Sequence, residues 1–169
     1  HLPTLQRVLD EQGGLLGLPM IRNEKPVDPT QPDSPRVYQL ETAMGLAISS
    51  FPNAQALDVP RTRFRPVKKS NDILVLWSDA YTLTDDYRID LIDARQDEPL
   101  AELDERYYTL FGDFKARFPN GAPSLQHCKR LTVHGDVYFG ANVEVRGEVT
   151  VRQEGEKPLR IEDNQILGT

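Results

Sequence analysis

A cluster of basic side chains between residues 61 and 69 offers the most specific chemistry in the chain. Its members, with no acidic residue among them, are Arg61, Arg63, Arg65, Lys68 and Lys69. The segment runs directly into a predicted helix, whose free N–H groups and dipole add to the positive charge. This combination suits a polyphosphate, and Pro66 would stiffen the backbone just before Lys68. The alternative is a loop whose cations only pair with surface carboxylates, and composition alone leaves both interpretations open.

Other kinds of chemistry find little support in the residues. There is no G-x-x-x-x-G-K-[ST] loop, no G-x-G-x-x-G and no G-x-S-x-G elbow. His127, Cys128 and His134 lack the spacing of a zinc site, so no metal ligand is predicted. The acidic stretch from Asp85 to Glu105 lacks the spacing of a calcium loop and indicates a solvated surface. The net charge of −6 disfavours nucleic-acid binding, which requires a concentrated basic surface.

Composition predicts a soluble globular protein. The chain is 38% hydrophobic and 27% charged, and no segment approaches the roughly 20 consecutive apolar residues that span a bilayer. We therefore expect no membrane contact. The single cysteine, Cys128, cannot form an internal disulfide, which favours a cytoplasmic location.

Apolar periodicity predicts the elements that precede the basic segment. A helix is expected from Leu2, stopped at Gly13 and Gly14, followed by a short buried strand over residues 15–21. Prolines at every third position between residues 26 and 35 favour an exposed loop, with a polyproline II motif as the alternative. A second helix is expected from Val37 to Phe51.

The elements after the basic segment begin with a helix. Ser70 is the predicted N-cap and Asp72 lies in the first turn of this helix, which is apolar on several sides and therefore expected to be buried. An edge strand is expected near Tyr87–Ile92, and a short helix at Phe111–Phe118. The acidic stretch predicts a domain boundary, with residues 1–92 in one domain and residues 93–169 in the next.

Two interlocked apolar series of period six give the most specific structural signal. The first is Leu131, Val137, Val143 and Val149, and the second is Val133, Phe139, Val145 and Val151. Gly135, Ala141 and Gly147 form a third series of small residues. A parallel β-helix requires this pattern, because each short strand turns a tight corner and stacked coils bury the inward side chains. The pattern favours a β-helix over an antiparallel hairpin, which would alternate at period two.

Several short segments then identify a family by their order and spacing. They are Gln39–Ala43, Val59–Phe64, Pro66–Lys68, Asp72–Leu76, Ser78–Leu83 and Leu131–Val137, preceded by Asn23-Glu24-Lys25. Together they resemble the UDP-glucose pyrophosphorylase family. That family has Asn-Pro-Lys at the position of Asn23-Glu24-Lys25, so Glu24 replaces a proline. The resemblance extends from about Leu15 to Ile166 and implies the C-terminal portion of such an enzyme.

This resemblance implies both a fold and an activity. The fold is α/β: the C-terminal part of a Rossmann-like nucleotidyltransferase domain, followed by a small left-handed parallel β-helix. The activity is formation of UDP-glucose and pyrophosphate from UTP and glucose 1-phosphate. Mg²⁺ is expected as cofactor, bound mainly by the substrate phosphates and by upstream residues.

The resemblance also maps one site residue. Lys68 corresponds to the family's phosphate-contacting lysine, so it is the candidate catalytic and phosphate-binding residue. Arg61 and Arg63 are interpreted as bracing the loop, and Gln39 and Glu41 either face the site or lie in a packed helix. The family's Gly-rich loop lies upstream, so we expect this chain alone to be inactive.

Two other functions remain as alternatives. The β-helix could serve as an oligomerisation module through its open end, giving a homo-oligomer without catalysis of its own. A hexapeptide acyltransferase also uses β-helix coils, but about three visible coils are too few for that family's usual prism.

Overall fold

The computed structural model describes residues 1–60, 64–92 and 97–169. Its backbone forms two compact units, His1–Val59 and Pro60–Thr169. The elements of the first unit are α1 (Leu2–Glu11), β1 (Met20–Pro26), β2 (Arg36–Thr42) and a 3-10 helix (Met44–Ser50). Those of the second unit are α2 (Ser70–Trp77), β3 (Tyr81–Leu83), β4 (Ile89–Leu91), β5 (Leu100–Leu103), α3 (Glu105–Tyr108), α4 (Phe111–Arg117), β6 (Ser124–His134), β7 (Val137–Phe139), β8 (Glu144–Arg152), β9 (Leu159–Ile161) and β10 (Ile166–Gly168).

The first unit contains a long antiparallel hairpin of β1 and β2. The two strands pair along their whole length, and the predicted proline-bearing loop joins them. The Val27 N–H closes this loop by donating to the Pro35 carbonyl at 2.9 Å. The predicted helix α1 is confirmed and buries Val8. The buried strand predicted over residues 15–21 is wrong, because β1 begins only at Met20, whose side chain is 66% exposed.

The helix predicted from Val37 to Phe51 is also wrong over its first half. Residues 36–42 form β2, all of it exposed, and only Met44–Ser50 are helical, as a 3-10 segment. The apolar residues of this region fit three- and four-residue steps, but β-branched and aromatic residues such as Val37 and Tyr38 also favour strands. Pairing with β1 provides hydrogen-bond partners for the backbone of β2, and so favours the strand over the helix.

The core of the second unit begins under the short helices. α2 buries Leu74 and Val75, and α4 buries Phe114. The rings of Phe114, Phe118 and Phe139 follow one another with centroids 5.2 and 4.9 Å apart, which extends the core from α4 into β7. Both helices predicted in this region are confirmed, and the strand predicted near Tyr87–Ile92 is β4, paired with β3.

The period-six pattern corresponds to parallel strands stacked one upon another. β6 pairs in parallel with β8, so that Leu131 lies opposite Val149 and Val133 opposite Val151, each partner eighteen residues further along the chain. Eighteen residues are three six-residue repeats. Both apolar series point inward, and their first three members are at most 1% exposed: Leu131, Val137, Val143, Val133, Phe139 and Val145. The buried face predicted from the sequence is confirmed.

The next turn of the chain keeps the parallel stacking but is longer. Val137 lies opposite Leu159, and Glu144 lies opposite Ile166, an offset of twenty-two residues. The four additional residues are accommodated between Val151 and Leu159. The resulting sheet has the order β10-β8-β6-β5, with β7 and β9 paired beside it.

These observations confirm a mixed α/β fold with parallel strands. The Rossmann-like assignment and the left-handed β-helix go beyond them and are taken up under the proposed function. The domain boundary predicted after residue 92 also remains a proposal. It falls inside the second compact unit and adjoins residues 93–96, which lie outside the described ranges.

Asp104 joins α3 to a corner of the stacked strands. Its Oδ1 accepts the N–H of Arg106 at 3.1 Å, which caps α3, and its Oδ2 accepts the N–H of Gly135 at 2.9 Å. The Arg106 guanidinium also donates to both oxygens. These bonds, with the Arg106 side chain as the largest influence, lower the pKa of the Asp104 carboxyl.

Arg117 fastens α4 to the same corner. Its Nε donates to Asp136 Oδ1 at 2.9 Å, and its Nη1 donates to the Asp113 carbonyl at 2.9 Å. The guanidinium also lies 5.2 Å from the ring centroid of Tyr107 and 5.3 Å from that of Tyr138. These contacts offset the desolvation of a charge that is only 9% exposed.

Gly135 occupies a corner that excludes a side chain. Its φ is +86°, and a Cβ built there would lie 2.1 Å from the carbonyl oxygen of Gln153. Gly147, twelve residues on in the same predicted series, also has a positive φ of +63°. Two of the three small residues, Gly135 and Gly147, therefore lie where the backbone has a positive φ, and Ala141 does not.

We expect Gly135→Ala to destabilise the protein strongly. The left-handed backbone costs a non-glycine residue about 1–2 kcal/mol, and relieving the clash with Gln153 costs roughly another 1–3 kcal/mol. Gly112→Ala is the matched control, since Gly112 lies in α4 with no atom within 4 Å of its Cβ position. It should stabilise the protein by about 0.5–1 kcal/mol. Urea unfolding of both variants tests the pair, and equal effects would contradict this account of the corner.

Asp104→Asn should lower the free energy of unfolding at neutral pH by about 1.5–3 kcal/mol, because hydrogen bonds to a charged acceptor are lost. The folded state lowers the pKa of Asp104, so its contribution is complete above the unfolded pKa of about 3.9 and is lost as the pH falls through the folded value. The difference between wild type and variant should therefore shrink below about pH 4 in urea titrations. Asp113→Asn, at an exposed aspartate of α4, should change the free energy of unfolding at neutral pH by no more than about 0.5 kcal/mol. A difference that stays constant into the acid range would refute the role of Asp104.

Candidate functional site

Lys68 lies in the extended segment that leads into α2. Its side chain is exposed, and its backbone N–H donates to Asp72 Oδ2 at 2.8 Å. The N–H of Lys69 donates to the same oxygen at 2.9 Å. Asp72 therefore lies in the first turn of α2, as predicted, and fixes the backbone of both lysines.

The predicted N-cap of this helix is wrong by one residue. Lys69, with φ −133° and ψ 165°, holds the N-cap position, and Ser70 is the first helical residue. The Ser70 hydroxyl is buried and donates to the carbonyl of Tyr108. It therefore attaches the start of α2 to α3 instead of capping its own helix, a role that depends on a residue far along the chain.

The two lysines differ in their surroundings. Lys69 Nζ donates a hydrogen bond to Glu105 Oε1 at 2.5 Å, and this bond raises the pKa of Lys69. Both of these side chains are exposed, so the pair adds little to stability. For Lys68, no carboxylate within residues 1–60, 64–92 and 97–169 lies at ion-pair distance from the amine. Its charge is available to a ligand.

The remaining cations of the basic segment divide into two groups. Arg65 is half-buried, with its guanidinium 5.5 Å from the ring centroid of Tyr81. Tyr81 in turn donates from its hydroxyl to Glu98 Oε1 at 2.6 Å, so Arg65 packs against the body of the unit. Arg61 and Arg63 lie outside the described residues, and their bracing role remains a prediction.

The motif Ser78–Leu83 holds the far end of α2. Ser78 ends the helix, and its hydroxyl donates to the Val75 carbonyl at 2.7 Å. Asp79 Oδ1 accepts the N–H of Leu125 at 2.9 Å, at the start of β6. One end of α2 is thereby attached to the stacked strands and the other to α3, which fixes the helix that carries the basic segment.

A small cavity lies beside Lys68. It has a volume of about 180 Å³ and reaches from Lys68 and Asn71 to Thr109. Ligand sites for drug-sized molecules usually occupy about 300–1,000 Å³. Lys69 and Glu105 also line the cavity, so it carries both positive and negative charge, and it is too small for a complete sugar nucleotide.

The polar residues of the motifs in the first unit meet on the hairpin. Lys25 donates to Gln39 Oε1, and Asn23 donates to Glu41 Oε1. Gln39 Nε2 also donates to Glu41 Oε2 at 3.2 Å. Gln39 and Glu41 therefore lie on strand β2, not in a packed helix. The two-residue spacing of Asn23 and Lys25, and of Gln39 and Glu41, was the signal that could have revealed one face of a hairpin.

The described residues do not form a magnesium site of their own. No group of three or more His, Cys, Asp or Glu side chains within these ranges is arranged to hold a metal ion. Asp72, the carboxylate closest to Lys68 in sequence, already accepts two backbone N–H groups. Magnesium commonly uses one or two carboxylates together with substrate phosphates, so its binding is considered with the proposed function.

Comparison with known proteins decides the family. A family model described as UTP–glucose-1-phosphate uridylyltransferase matches residues 1–146. The chain belongs to this family. Uridylyltransferases of this description from Hordeum vulgare and Solanum tuberosum are 37% and 39% identical to it over 99% of the chain.

Solved structures related to this uridylyltransferase family share its fold. A Trypanosoma brucei protein described as UDP-glucose phosphorylase superposes with a TM-score of 0.91 at 45% identity over 99% of the chain. A Leishmania major UDP-glucose pyrophosphorylase variant, solved in complex with UDP-glucose, gives 0.86 at 46% identity over 99%.

The chain spans about a third of the length of these relatives. It covers 34% of each plant protein, and 36% and 35% of the two solved chains. None of the helices in the described ranges has the length and apolar character needed to cross a membrane.

Proposed function

We propose that this chain forms one wall of the active site of a UDP-glucose pyrophosphorylase, the enzyme that converts UTP and glucose 1-phosphate to UDP-glucose and pyrophosphate. Family membership supports the reaction class. The observation that carries the site is the difference between two adjacent lysines, since Lys69 is paired with Glu105 while Lys68 extends from an anchored backbone. Lys68 is the proposed phosphate-binding and catalytic residue.

The chemistry requires a fixed cation and no protein nucleophile. A phosphate oxygen of glucose 1-phosphate forms a bond to the α-phosphorus of UTP while the bond from that phosphorus to the leaving pyrophosphate breaks. Two polyanions must approach each other, and negative charge accumulates at the reacting phosphorus. A positioned ammonium group offsets this charge, and it acts most strongly where water is excluded.

The Mg²⁺ of the proposed reaction would be held by the substrate phosphates and by residues outside this chain. The described residues do not provide a ligand set for it, so no step is assigned to it here. In the proposed enzyme, Lys68 contributes a charge whose position does not depend on metal coordination.

The finer features of the fold belong to the same proposal. Residues 1–92 would be the remainder of a Rossmann-like nucleotidyltransferase domain, and residues 93–169 a left-handed β-helix domain. The parallel offset of eighteen residues supports the β-helix. β10 lies at the edge of its sheet, which supports a homo-oligomer formed through the open end, and a cytoplasmic location is proposed for the whole protein.

The 169-residue chain alone is expected to form no UDP-glucose. Orientation of the reactants carries much of the rate in such transfers, and a lysine on one wall cannot orient two substrates without the rest of the site. A coupled assay for pyrophosphate release tests the isolated chain beside the full-length protein. Release from the isolated chain that depends on both UTP and glucose 1-phosphate would contradict the proposed partial site.

In the full-length protein, Lys68→Ala should lower kcat by roughly a hundredfold to a thousandfold, with a smaller change in KM for glucose 1-phosphate. The reason is that the cation interacts most strongly with charge that develops in the transition state.

Lys69→Ala is the matched control for this variant. It removes the same charge one residue away, from a side chain held by Glu105, and should change the rate only slightly. Neither exposed lysine should alter the melting temperature appreciably. Comparable losses in both variants would indicate that general electrostatic attraction, not the position of Lys68, supports catalysis. A wild-type rate for Lys68→Ala would refute both explanations.

A further inference from the structure

The backbone of Lys68 is held by a single carboxylate oxygen. Asp72 Oδ2 accepts the N–H groups of Lys68 and Lys69 at 2.8 and 2.9 Å, which are normal lengths for charge-assisted bonds. From this geometry we infer that Asp72 is the positioning residue for Lys68 in catalysis, an inference that rests on the proposed function.

The two bonds to one Asp72 oxygen restrain the backbone on both sides of Lys68. They hold two successive peptide N–H groups at one point, and so fix the direction in which the Cα–Cβ bond of Lys68 leaves the chain. Pro66 restricts the backbone two residues earlier through its fixed φ. Asp72 is itself half-buried in the first turn of α2, where the helix dipole favours its negative charge.

Asp72 holds the backbone of both lysines, but Lys69 has a second, side-chain anchor. The side chain of Lys69 is held by Glu105 at 2.5 Å, and this contact does not involve Lys68. α2 is in turn attached to α3 through Ser70 and to β6 through Asp79, so Asp72 projects from a fixed element. The Asp72 carboxylate thus connects the backbone of the exposed residue Lys68 to a helix that is fixed within the second unit.

A double-mutant cycle in the full-length protein tests this coupling. Asp72→Ala should lower kcat about tenfold to a hundredfold, the effect of misplacing a catalytic group by about 1 Å. KM for both substrates should change little. In the Lys68→Ala background, the same substitution should lower kcat by no more than about twofold, because the misplaced amine is already absent. Asp72→Asn, whose side-chain oxygen can still accept both N–H groups, should recover most of the rate.

Asp113→Ala is the matched control. Asp113 is the third residue of α4, as Asp72 is of α2, so its loss removes a carboxylate from the same position near a helix N-terminus, at a distance from the basic segment. It should leave kcat unchanged, with a smaller decrease in melting temperature than Asp72→Ala, because the Asp72 carboxylate also accepts two backbone N–H groups.

The outcomes separate this inference from the proposed function. If Lys68→Ala retains the wild-type rate, both are overturned. If Lys68→Ala loses activity but Asp72→Ala lowers kcat equally in both backgrounds, the role proposed for Lys68 stands and the positioning role of Asp72 is overturned. The same follows if Asp113→Ala lowers kcat as much as Asp72→Ala, because the effect would then be one of helix stability alone.

Discussion

The burial of Tyr108 is the interaction on which the position of the basic segment depends. Its ring is 1% exposed and packs on Phe118 with centroids 6.0 Å apart. Its hydroxyl donates to the Val137 carbonyl at 2.7 Å, and its own carbonyl accepts the hydroxyl of Ser70. One residue therefore connects the first turn of α2 to the stacked strands. Burial raises the pKa of the Tyr108 hydroxyl, so it remains a neutral donor over the ordinary pH range.

The stacked strands can support the helices because two of them, α3 and α4, bind to one corner of the strands. Asp104 at the start of α3 binds the N–H of Gly135, and Arg117 at the end of α4 binds the side chain of the next residue, Asp136. These are charged contacts in a largely desolvated place, where hydrogen bonds are stronger than at the surface. The first unit has no comparable core, since Val8 is the buried hydrophobic residue among those described there.

The sequence predicted the features that depend on local spacing and missed those that depend on contacts between residues distant in the chain. The period-six series identified the inward faces correctly, because local spacing alone determines which side chains of stacked strands point inward. The hairpin was missed because Val37–Phe51 also fits a helical period, and only pairing with β1 distinguishes the two. The cap of α2 was misassigned since the Ser70 hydroxyl binds Tyr108, thirty-eight residues away. The pairing of Lys69 with Glu105, and hence the distinction between the two lysines, likewise joins residues that no local pattern relates.

That distinction matters because this chain carries a net negative charge. With a net charge of −6, general attraction cannot draw a polyanion to this surface, so any phosphate site must depend on individual cations. Two unit charges 4 Å apart attract by only about 1 kcal/mol in water, and salt screens exposed charges beyond roughly 8 Å. A lysine in solvent therefore contributes little unless it is held close to the phosphate and water is excluded. Arg65 packs on Tyr81 and Lys69 binds Glu105, whereas Lys68 has an anchored backbone, and this difference is why Lys68 is the cation of residues 64–69 proposed for such a site.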